Sequence, residues 1–201
     1  MTHYDISDKD GEFLVSTARK IVTEFLKSGR KSRLDKDVES KLSFDAGVFV
    51  TLNLNNDLRG CIGFPLPKRL SEALPEAAIA AATEDPRFSP VESRELDSIT
   101  FEVTVLTPPA EIILDNPQEL LSKIKVGRDG LIIRQGHHSG LLLPQVPVEY
   151  GWNEEKFLEH TCQKAGLPSN CWKEKNTQIF SFEGIIFKEE KPNGVIIREK
   201  L

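Results

Sequence analysis

A cysteine between two glycines, close to an arginine, is the segment of this chain best suited to chemistry. The segment Arg59-Gly60-Cys61-Ile62-Gly63 lies in a stretch typical of a β-strand. Alternate residues of a strand share a face, so Arg59 and Cys61 would lie side by side. A nearby guanidinium favours thiolate over thiol, and flanking glycines let a ligand approach the backbone. The segment predicts a reactive or ligand-binding cysteine, and a small buried cysteine in a glycine-containing strand is an equally good interpretation.

A glutamate in a second predicted strand is a candidate partner for this cysteine. Residues 99–105 alternate apolar and polar side chains, which predicts a strand with one apolar face and Glu102 pointing away from it. If that strand lies beside the strand of Cys61, Glu102 could orient or deprotonate a partner as a catalytic group. The alternative is a solvated glutamate, which is the commoner case on an outward strand face.

Histidines and the remaining cysteines offer weaker candidates for a site. His137 and His138 adjoin each other in a glycine-bounded turn and would point in different directions, so we expect a solvated turn tip there. His160, Cys162 and Cys171 lack the paired spacing of structural zinc sites. Since Cys162 also falls on the apolar face of a helix, we predict that it packs in a core. We predict no metal and no cofactor.

Helices and hairpins must position these residues. Helical periodicity or capping signals mark residues 8–28, 71–83, 116–124 and 153–166, and strand patterns mark 48–54, 58–64, 99–105, 131–133, 141–143 and 179–187. Residues 189–201 are predicted to be peripheral. Helices interleaved with hairpins favour an α+β fold with a largely antiparallel sheet flanked by helices, and 201 residues are enough for one domain with a sizeable core.

Composition and charge exclude several classes of protein. With 39% hydrophobic and 28% charged residues, no stretch approaches the roughly 20 apolar residues that span a bilayer. A net charge of −5 repels phosphate backbones, so a basic run from Lys27 to Lys36 is interpreted as a solvated connector. The first five residues lack the features of a signal peptide, and three cysteines, an odd number, suggest thiols in a reducing compartment. We therefore expect a cytoplasmic protein.

Several motifs resemble those of one protein family. Leu58-Arg59-Gly60-Cys61-Ile62-Gly63 resembles the signature of the AMMECR family, which is named for a chromosomal region tied to Alport syndrome, midface hypoplasia and elliptocytosis. Further segments resemble the family's other motifs in the family's order and extend the resemblance over essentially the whole chain: Asp85-Pro86-Arg87-Phe88, Val105 to Pro108, Gly127 to Leu131, Gly140 to Val146, Glu149 with Gly151-Trp152, and residues 157–167.

The resemblance implies a fold, a set of site residues and an association, but no established reaction. It implies a single AMMECR-type domain over residues 1–201, with two lobes and motif residues gathered toward a cleft. In prokaryotes the family is associated with Memo-like and radical SAM proteins, which suggests a shared pathway. The residues that the resemblance carries to a ligand site are Arg59, Gly60, Cys61, Gly63, Arg87, Pro144, Gln145, Glu149 and Trp152.

Two functional hypotheses of different class follow. The first is an enzyme-like domain that binds a small polar or anionic ligand in a cleft, with Arg59 and Arg87 holding charge and Cys61 as nucleophile or contact. The second is a non-catalytic adapter whose glycine-rich surface and Trp152 region dock a Memo-like or radical SAM protein. A nucleic-acid-binding module is a third hypothesis, because Gly60 to Gly63 fits the Gly-x-x-Gly of KH loops, but the acidic charge disfavours it.

Overall fold

A computed structural model of the protein describes residues 6–31, 33–113 and 116–199, apart from the side chain of residue 117. The first five residues, on which the expected lack of an export signal depends, lie outside this range. The helices are α1 (Asp8–Ser28), α2 (Lys36–Lys41), α3 (Leu70–Thr83), α4 (Pro117–Lys123), α5 (Gln145–Glu149) and α6 (Glu154–Lys164). The strands are β1 (Asp45–Leu54), β2 (Asp57–Arg69), β3 (Ile99–Leu106), β4 (Ala110–Glu111), β5 (Asp129–Gln135), β6 (His138–Leu142), β7 (Gln178–Glu189) and β8 (Ile196–Glu199).

These elements form two compact units. Unit 1 comprises the chain up to Leu106 and again from Ile185, and unit 2 comprises Thr107–Gly184. Strand β7 therefore contributes its first part to unit 2 and its last part to unit 1. The strand pairs β1–β2, β1–β3, β4–β7, β5–β6, β5–β7 and β7–β8 are all antiparallel, and helices accompany the strands in both units. The predicted α+β fold with a largely antiparallel sheet is confirmed.

Unit 1 is a sheet in the order β2-β1-β3-β7 with α1 and α3 packed on one face. Helix α1 begins with a capping box, in which Ser7 and Asp10 satisfy each other's backbone amides, and it ends at Gly29, whose φ of 67° suits glycine. Apolar side chains recur on one face of each of these strands and helices, and these faces pack together in a shared core. That core contains Val48, Val50, Leu52, Phe101, Val103, Leu14, Ala18, Val22, Leu74, Ala77 and Ala78. The opposite face of the sheet carries polar residues of the same strands, among them Thr51 and Glu102.

The C-terminal residues are part of unit 1, which corrects their prediction as peripheral. Strand β8 pairs with β7, from Ile186–Glu199 to Glu189–Ile196. Glu189 is buried, and its carboxylate accepts hydrogen bonds from Arg19 Nε at 2.6 Å and from the Phe101 amide at 3.0 Å. Sequence reasoning missed this ion pair because its two members are 170 residues apart.

Unit 2 contains β4, β5, β6 and the first part of β7, with α4 and α6. Helix α6 begins at the predicted cap, Asn153, whose side chain accepts the Lys156 amide at 2.9 Å. Leu131, Ile133, Phe157, Leu158 and Trp172 belong to its core. The turn between β5 and β6 consists of Gly136 and His137 only, so it is shorter than predicted, and His138 begins β6. Both histidines are exposed, as a solvated turn requires.

A disulfide in unit 2 corrects the prediction that the cysteines are thiols. Cys162 of α6 is bonded to Cys171 of a short 3-10 helix (Cys171–Lys173), and both are fully buried in the core of unit 2. The predicted core position of Cys162 is thus confirmed, although its thiol state is not. Three cysteines are compatible with one disulfide and one free thiol. Cys61 is the free cysteine.

Removal of this disulfide is expected to destabilise the protein. The bond closes a loop with a sequence separation of 9, for which chain entropy gives about 2.5 kcal/mol. We expect the double variant Cys162→Ala/Cys171→Ala to lose about this much in the free energy of unfolding by guanidinium. Addition of a reductant should lower the midpoint of the wild-type protein and leave that of the variant unchanged. Equal midpoints for both proteins without reductant would contradict the disulfide.

Candidate functional site

Three polar side chains from adjacent strands form one row on the open face of the unit 1 sheet. Thr51 of β1 is directly opposite Cys61 of β2 on one side and directly opposite Glu102 of β3 on the other. Opposite residues of antiparallel strands project from the same face, so the three side chains are neighbours. The Thr51 hydroxyl donates to Cys61 Sγ at 3.3 Å, and Thr51 is the cross-strand neighbour of Glu102. We call Cys61, Thr51 and Glu102 the polar row.

Burial makes the Cys61 thiol harder to ionise than an ordinary cysteine. Desolvation raises the pKa of Cys61, and the charges of Glu102 and Asp85 raise it further. The Thr51 hydrogen bond and the Arg87 guanidinium oppose this shift without cancelling it. The expected activation of Cys61 by Arg59 is therefore wrong: the thiol is protonated at neutral pH, and the arginine that acts on it is Arg87.

Unlike the Cys61 thiol, the Glu102 carboxyl group can gain or lose a proton near neutral pH. Desolvation and the charge of Glu199 raise its pKa to about 7, against smaller opposing effects of Lys188 and Thr51. Glu102 also lines a cavity of about 450 Å³ that contains mainly polar side chains, among them Asn53, Asn56 and Thr100. A carboxyl group with this pKa and access to a polar cavity meets the requirement for a general acid or base.

Asp85 and Arg87 hold the backbone of Cys61 at the edge of the sheet. Asp85 follows α3 and is buried, with only 5% of its surface exposed. Its Oδ2 accepts the Cys61 amide at 2.9 Å and Arg87 Nη2 at 2.7 Å, while Oδ1 accepts Arg87 Nε at 2.9 Å. Arg87 Nη2 in turn donates to the Cys61 carbonyl at 3.5 Å. Because β2 is an edge strand, this pair takes the place of the strand that would otherwise bond to Cys61.

The Arg87 guanidinium is the main force on the Asp85 carboxyl group. Its hydrogen bonds hold the pKa of Asp85 far below the usual range, and the Cys61 amide adds to the effect. The same pairing raises the pKa of Arg87. The Arg87 side chain nevertheless remains half exposed, so it is the charged residue of this region that a ligand could still reach.

Arg59, predicted to hold the charge of a ligand, is paired with groups of the protein itself. The strand pairs step from Asn53–Leu58 to Leu52–Gly60, so Arg59 is the extra residue of a β-bulge. Its Nε donates to Glu95 Oε1 at 2.9 Å, and its Nη1 donates to the Ser89 carbonyl at 2.7 Å. The side chain is mostly buried, and these contacts fasten the segment after α3 to β2. Arg59 is thereby occupied by the protein itself.

The two glycines of the signature are required by packing. A Cβ atom at Gly60 would lie 2.0 Å from the carbonyl oxygen of Ala81 in α3, and one at Gly63 would lie 2.2 Å from that of Val48 in β1. Gly60 thus allows β2 to pack closely against helix α3. Their predicted role as ligand-binding residues has no support in this geometry.

The other predicted ligand residues belong to unit 2 and form a separate group. Pro144 is buried and immediately precedes α5, and Glu149 at the end of α5 is exposed. Gln145 Oε1 is buried without a hydrogen-bond partner among the described residues. Trp152 packs on the core of unit 2, and its ring is stacked with those of Tyr150 and His160.

Residues 6–31, 33–113 and 116–199 contain neither of two further kinds of site. In this part of the chain no group of three or more histidine, cysteine, aspartate or glutamate side chains is placed to hold a metal ion. Among its helices none combines the length and the apolar character that crossing a bilayer requires.

Sequence reasoning missed two residues that organise the site. Thr51 connects Cys61 to Glu102, but a threonine within a predicted strand carries no signal until the register of β1, β2 and β3 is known. Asp85 did carry a signal, because it begins the same Asp-Pro-Arg-Phe motif as Arg87. An acid two residues before an arginine could have been examined as its ion-pair partner.

Comparisons with known proteins agree with this fold and these motifs. The profile of the AMMECR1 family matches residues 15–187. Protein PYRAB00100 of Pyrococcus abyssi is 52% identical over 202 residues, covering 98% of each chain, and protein MK0488 of Methanopyrus kandleri is 51% identical over 192 residues, covering 94% of this chain and 92% of its own. The crystal structure of the uncharacterized protein PH0010 from Pyrococcus horikoshii is 52% identical, with a TM-score of 0.86 over 98% of this chain and all of that one. The chain belongs to the AMMECR1 family.

Proposed function

We propose that unit 1 is a catalytic domain that binds a small polar ligand beside the polar row, with Cys61 as nucleophile and Glu102 as the group that takes its proton. The observation that carries this proposal is the single row of Cys61, Thr51 and Glu102 across three strands. An anionic ligand has less support than the sequence suggested, because Arg59 is occupied by Glu95 and Glu102 places a carboxyl group in the row.

Thr51 can pass a proton between the other two groups without a net change of its own. In the free protein the Thr51 hydroxyl donates to Cys61 Sγ. For the transfer, this hydroxyl turns to donate to the Glu102 carboxylate, and Thr51 Oγ1 accepts the proton of the Cys61 thiol. Transfer of both protons converts thiol and carboxylate into thiolate and carboxylic acid, and leaves Thr51 a hydroxyl that can donate to the thiolate. Since the pKa of Cys61 is raised and that of Glu102 is about 7, the transfer is uphill in the free protein. The thiolate would form as it attacks.

The resulting step is a group transfer to sulfur. Cys61 Sγ forms a bond to an electrophilic carbon of the ligand, and the bond from that carbon to its leaving group breaks with the electron pair going to the leaving group. Glu102, protonated in the first step, can return its proton to the leaving group. The raised pKa of Glu102 suits it both to accept the thiol proton and to protonate the leaving group, because it can accept and release a proton near neutral pH.

Alkylation of Cys61 by iodoacetamide tests the proton transfer, because the two effects of Glu102 on it have opposite signs. If Glu102 acts only through its charge, Glu102→Gln removes a repulsion and should speed labelling at pH 7.5. If Glu102 accepts the proton, the same variant should slow labelling by at least about ten-fold. We expect slow labelling of the wild-type protein at pH 7 and a further decrease in Glu102→Gln, measured by peptide mass spectrometry.

The disulfide makes this assay specific, since Cys162 and Cys171 have no thiol to label. Cys61→Ser should abolish labelling and identify the reacting residue. Thr51→Ser, which keeps the hydroxyl, should label like the wild-type protein, and Thr51→Val should resemble Glu102→Gln. Faster labelling of Glu102→Gln would refute the role of Glu102 as proton acceptor.

A further inference from the structure

Trp152 in unit 2 is stacked with two other aromatic rings, one of which is largely exposed. The Trp152 ring lies 3.8 Å from the His160 ring at an interplanar angle of 10°, and 5.0 Å from the Tyr150 ring at 19°. Trp152 and His160 are half-buried, whereas 68% of Tyr150 is exposed. The neighbouring Val148 is 56% exposed. We call the surface formed by Val148 and Tyr150 the ring platform.

The backbone around these rings fixes the position of the exposed ring. Gly151 has a φ of 63°, a conformation that side-chain-bearing residues rarely adopt, and it brings the rings on either side of it into a stack. The Gly151 amide donates to the Val148 carbonyl at 3.2 Å, and the Trp152 amide donates to the Pro147 carbonyl at 2.8 Å. Tyr150 is thus presented in a fixed position, so little conformational entropy is lost when something binds to it.

The chain around the platform is acidic. Between residues 145 and 160 there are four glutamates, at 149, 154, 155 and 159, and one lysine, at 156, which gives a net charge of 1 − 4 = −3. Glu159 is paired with Lys156 and Glu155 with Lys173, so Glu149 and Glu154 are the glutamates of this segment with no ion-pair partner among the described residues. Glu149 adjoins both platform residues in sequence and is exposed. An exposed aromatic face with negative charge nearby favours a cation above the ring.

We propose that the ring platform is a docking surface for a partner protein that inserts an arginine side chain over Tyr150. The guanidinium group is planar and weakly hydrated and stacks on aromatic faces, while the glutamates complement its charge. Tyrosine and arginine are also enriched among the residues that contribute most to protein interfaces. This proposal concerns unit 2 and is independent of the reaction proposed for unit 1.

Other occupants fit the platform less well. Small-molecule sites are concave and enclose most of their ligand, whereas the outer face of Tyr150 is open. Nucleic acids stack their bases on aromatic side chains, but they need a basic surface to hold their phosphates, and the local charge here is −3. The charge thus selects a basic protein segment over a nucleotide strand.

Titration of the whole protein with two charge-matched hexapeptides tests the proposal. One peptide alternates glycine and arginine, and the other alternates glycine and lysine. In two-dimensional NMR spectra we expect the arginine peptide to shift the Gly151 amide and the Trp152 indole, and to bind more tightly than the lysine peptide. Tyr150→Ala should lower the affinity for the arginine peptide by about three- to five-fold, the effect expected from loss of an exposed cation–π contact.

Matched variants separate stacking from charge. Tyr150→Phe keeps the ring and should bind the arginine peptide like the wild-type protein, whereas Glu149→Gln should weaken both peptides equally. The spectra also show directly whether each variant is folded. Equal affinity for the two peptides, or unchanged affinity in Tyr150→Ala, would overturn the proposal. Adenosine monophosphate that shifts the same resonances when the arginine peptide does not would overturn it in favour of a planar-ring ligand.

Discussion

Replacement of Asp85 by alanine is expected to destabilise the protein by about 3 kcal/mol, the largest loss of stability that we predict for a single site. The carboxylate is buried and accepts from the Cys61 amide and from three nitrogens of Arg87. Without it, the Cys61 amide loses its partner at the edge of β2. The half exposure of Arg87 keeps the effect at the lower end of the range for a broken buried pair, because water can solvate the freed guanidinium.

Guanidinium unfolding at several pH values can check this expectation. The pKa of Asp85 is lowered in the folded state, so its charge contributes stability above the unfolded pKa of about 3.8, and this contribution is lost as the pH falls further. The difference between the wild-type protein and Asp85→Asn should therefore be constant above pH 5 and shrink below pH 4. Arg94→Ala, which removes an exposed ion pair with Glu92, is the control and should change stability by less than about 0.5 kcal/mol.

Replacement of Glu102 by glutamine is expected to stabilise the protein at pH 8 and to have little effect at pH 4. The pKa of Glu102 is raised from 4.5 to about 7 in the folded state. The folded protein therefore binds more protons than the unfolded chain between these values, and its stability falls as the pH rises through them. At pH 8 a pKa shift of this size lowers the free energy of unfolding by about 3 kcal/mol. The uncharged glutamine should remove this loss.

The pH dependence distinguishes this effect from a general gain in packing. We expect the difference in unfolding free energy between Glu102→Gln and wild type to grow from pH 4.5 to pH 7 and then to level off. Glu12→Gln, at an exposed position of α1, should follow the wild-type curve throughout. A stabilisation that is the same at pH 4 and pH 8 would show that burial of the charge is not its cause. Stabilisation on removal of a buried charge is also typical of functional sites.

Local patterns in the sequence predicted most of the helices and strands. The α1 helix has a polar cap, an apolar stripe and a terminal glycine, and β3 alternates strictly, so both depend on interactions between residues close in sequence. The short β8 strand could not be predicted in this way, because its four residues are defined by pairing with β7. The buried Glu189 is likewise explained only by Arg19 at the other end of the chain.

The site was predicted in part, and the register of the strands explains the difference. Cys61 and Glu102 were selected by residue type, and the predicted alternation correctly separated Glu102 from the apolar face of β3. The bulge at Arg59 interrupts the alternation of β2, so the predicted pairing of Arg59 with Cys61 fails. The position of Thr51 between Cys61 and Glu102 could be recognised only from the pairing of β1 with both β2 and β3. Edge contacts such as Asp85 with the Cys61 amide depend on a loop that returns to the sheet, which no periodic pattern encodes.

The division of β7 between the two units has a consequence for the order in which the protein folds during synthesis. Unit 2 is a continuous stretch, Thr107–Gly184, so all of its strands emerge from the ribosome before residues 185–199 do. Unit 1 lacks the end of β7, the whole of β8 and the partner of Arg19 until residues 185–199 emerge. Domains generally fold as units from the N-terminus onward. Here the N-terminal part of unit 1 must wait, and the edge of β3 stays exposed until residues 185–199 emerge.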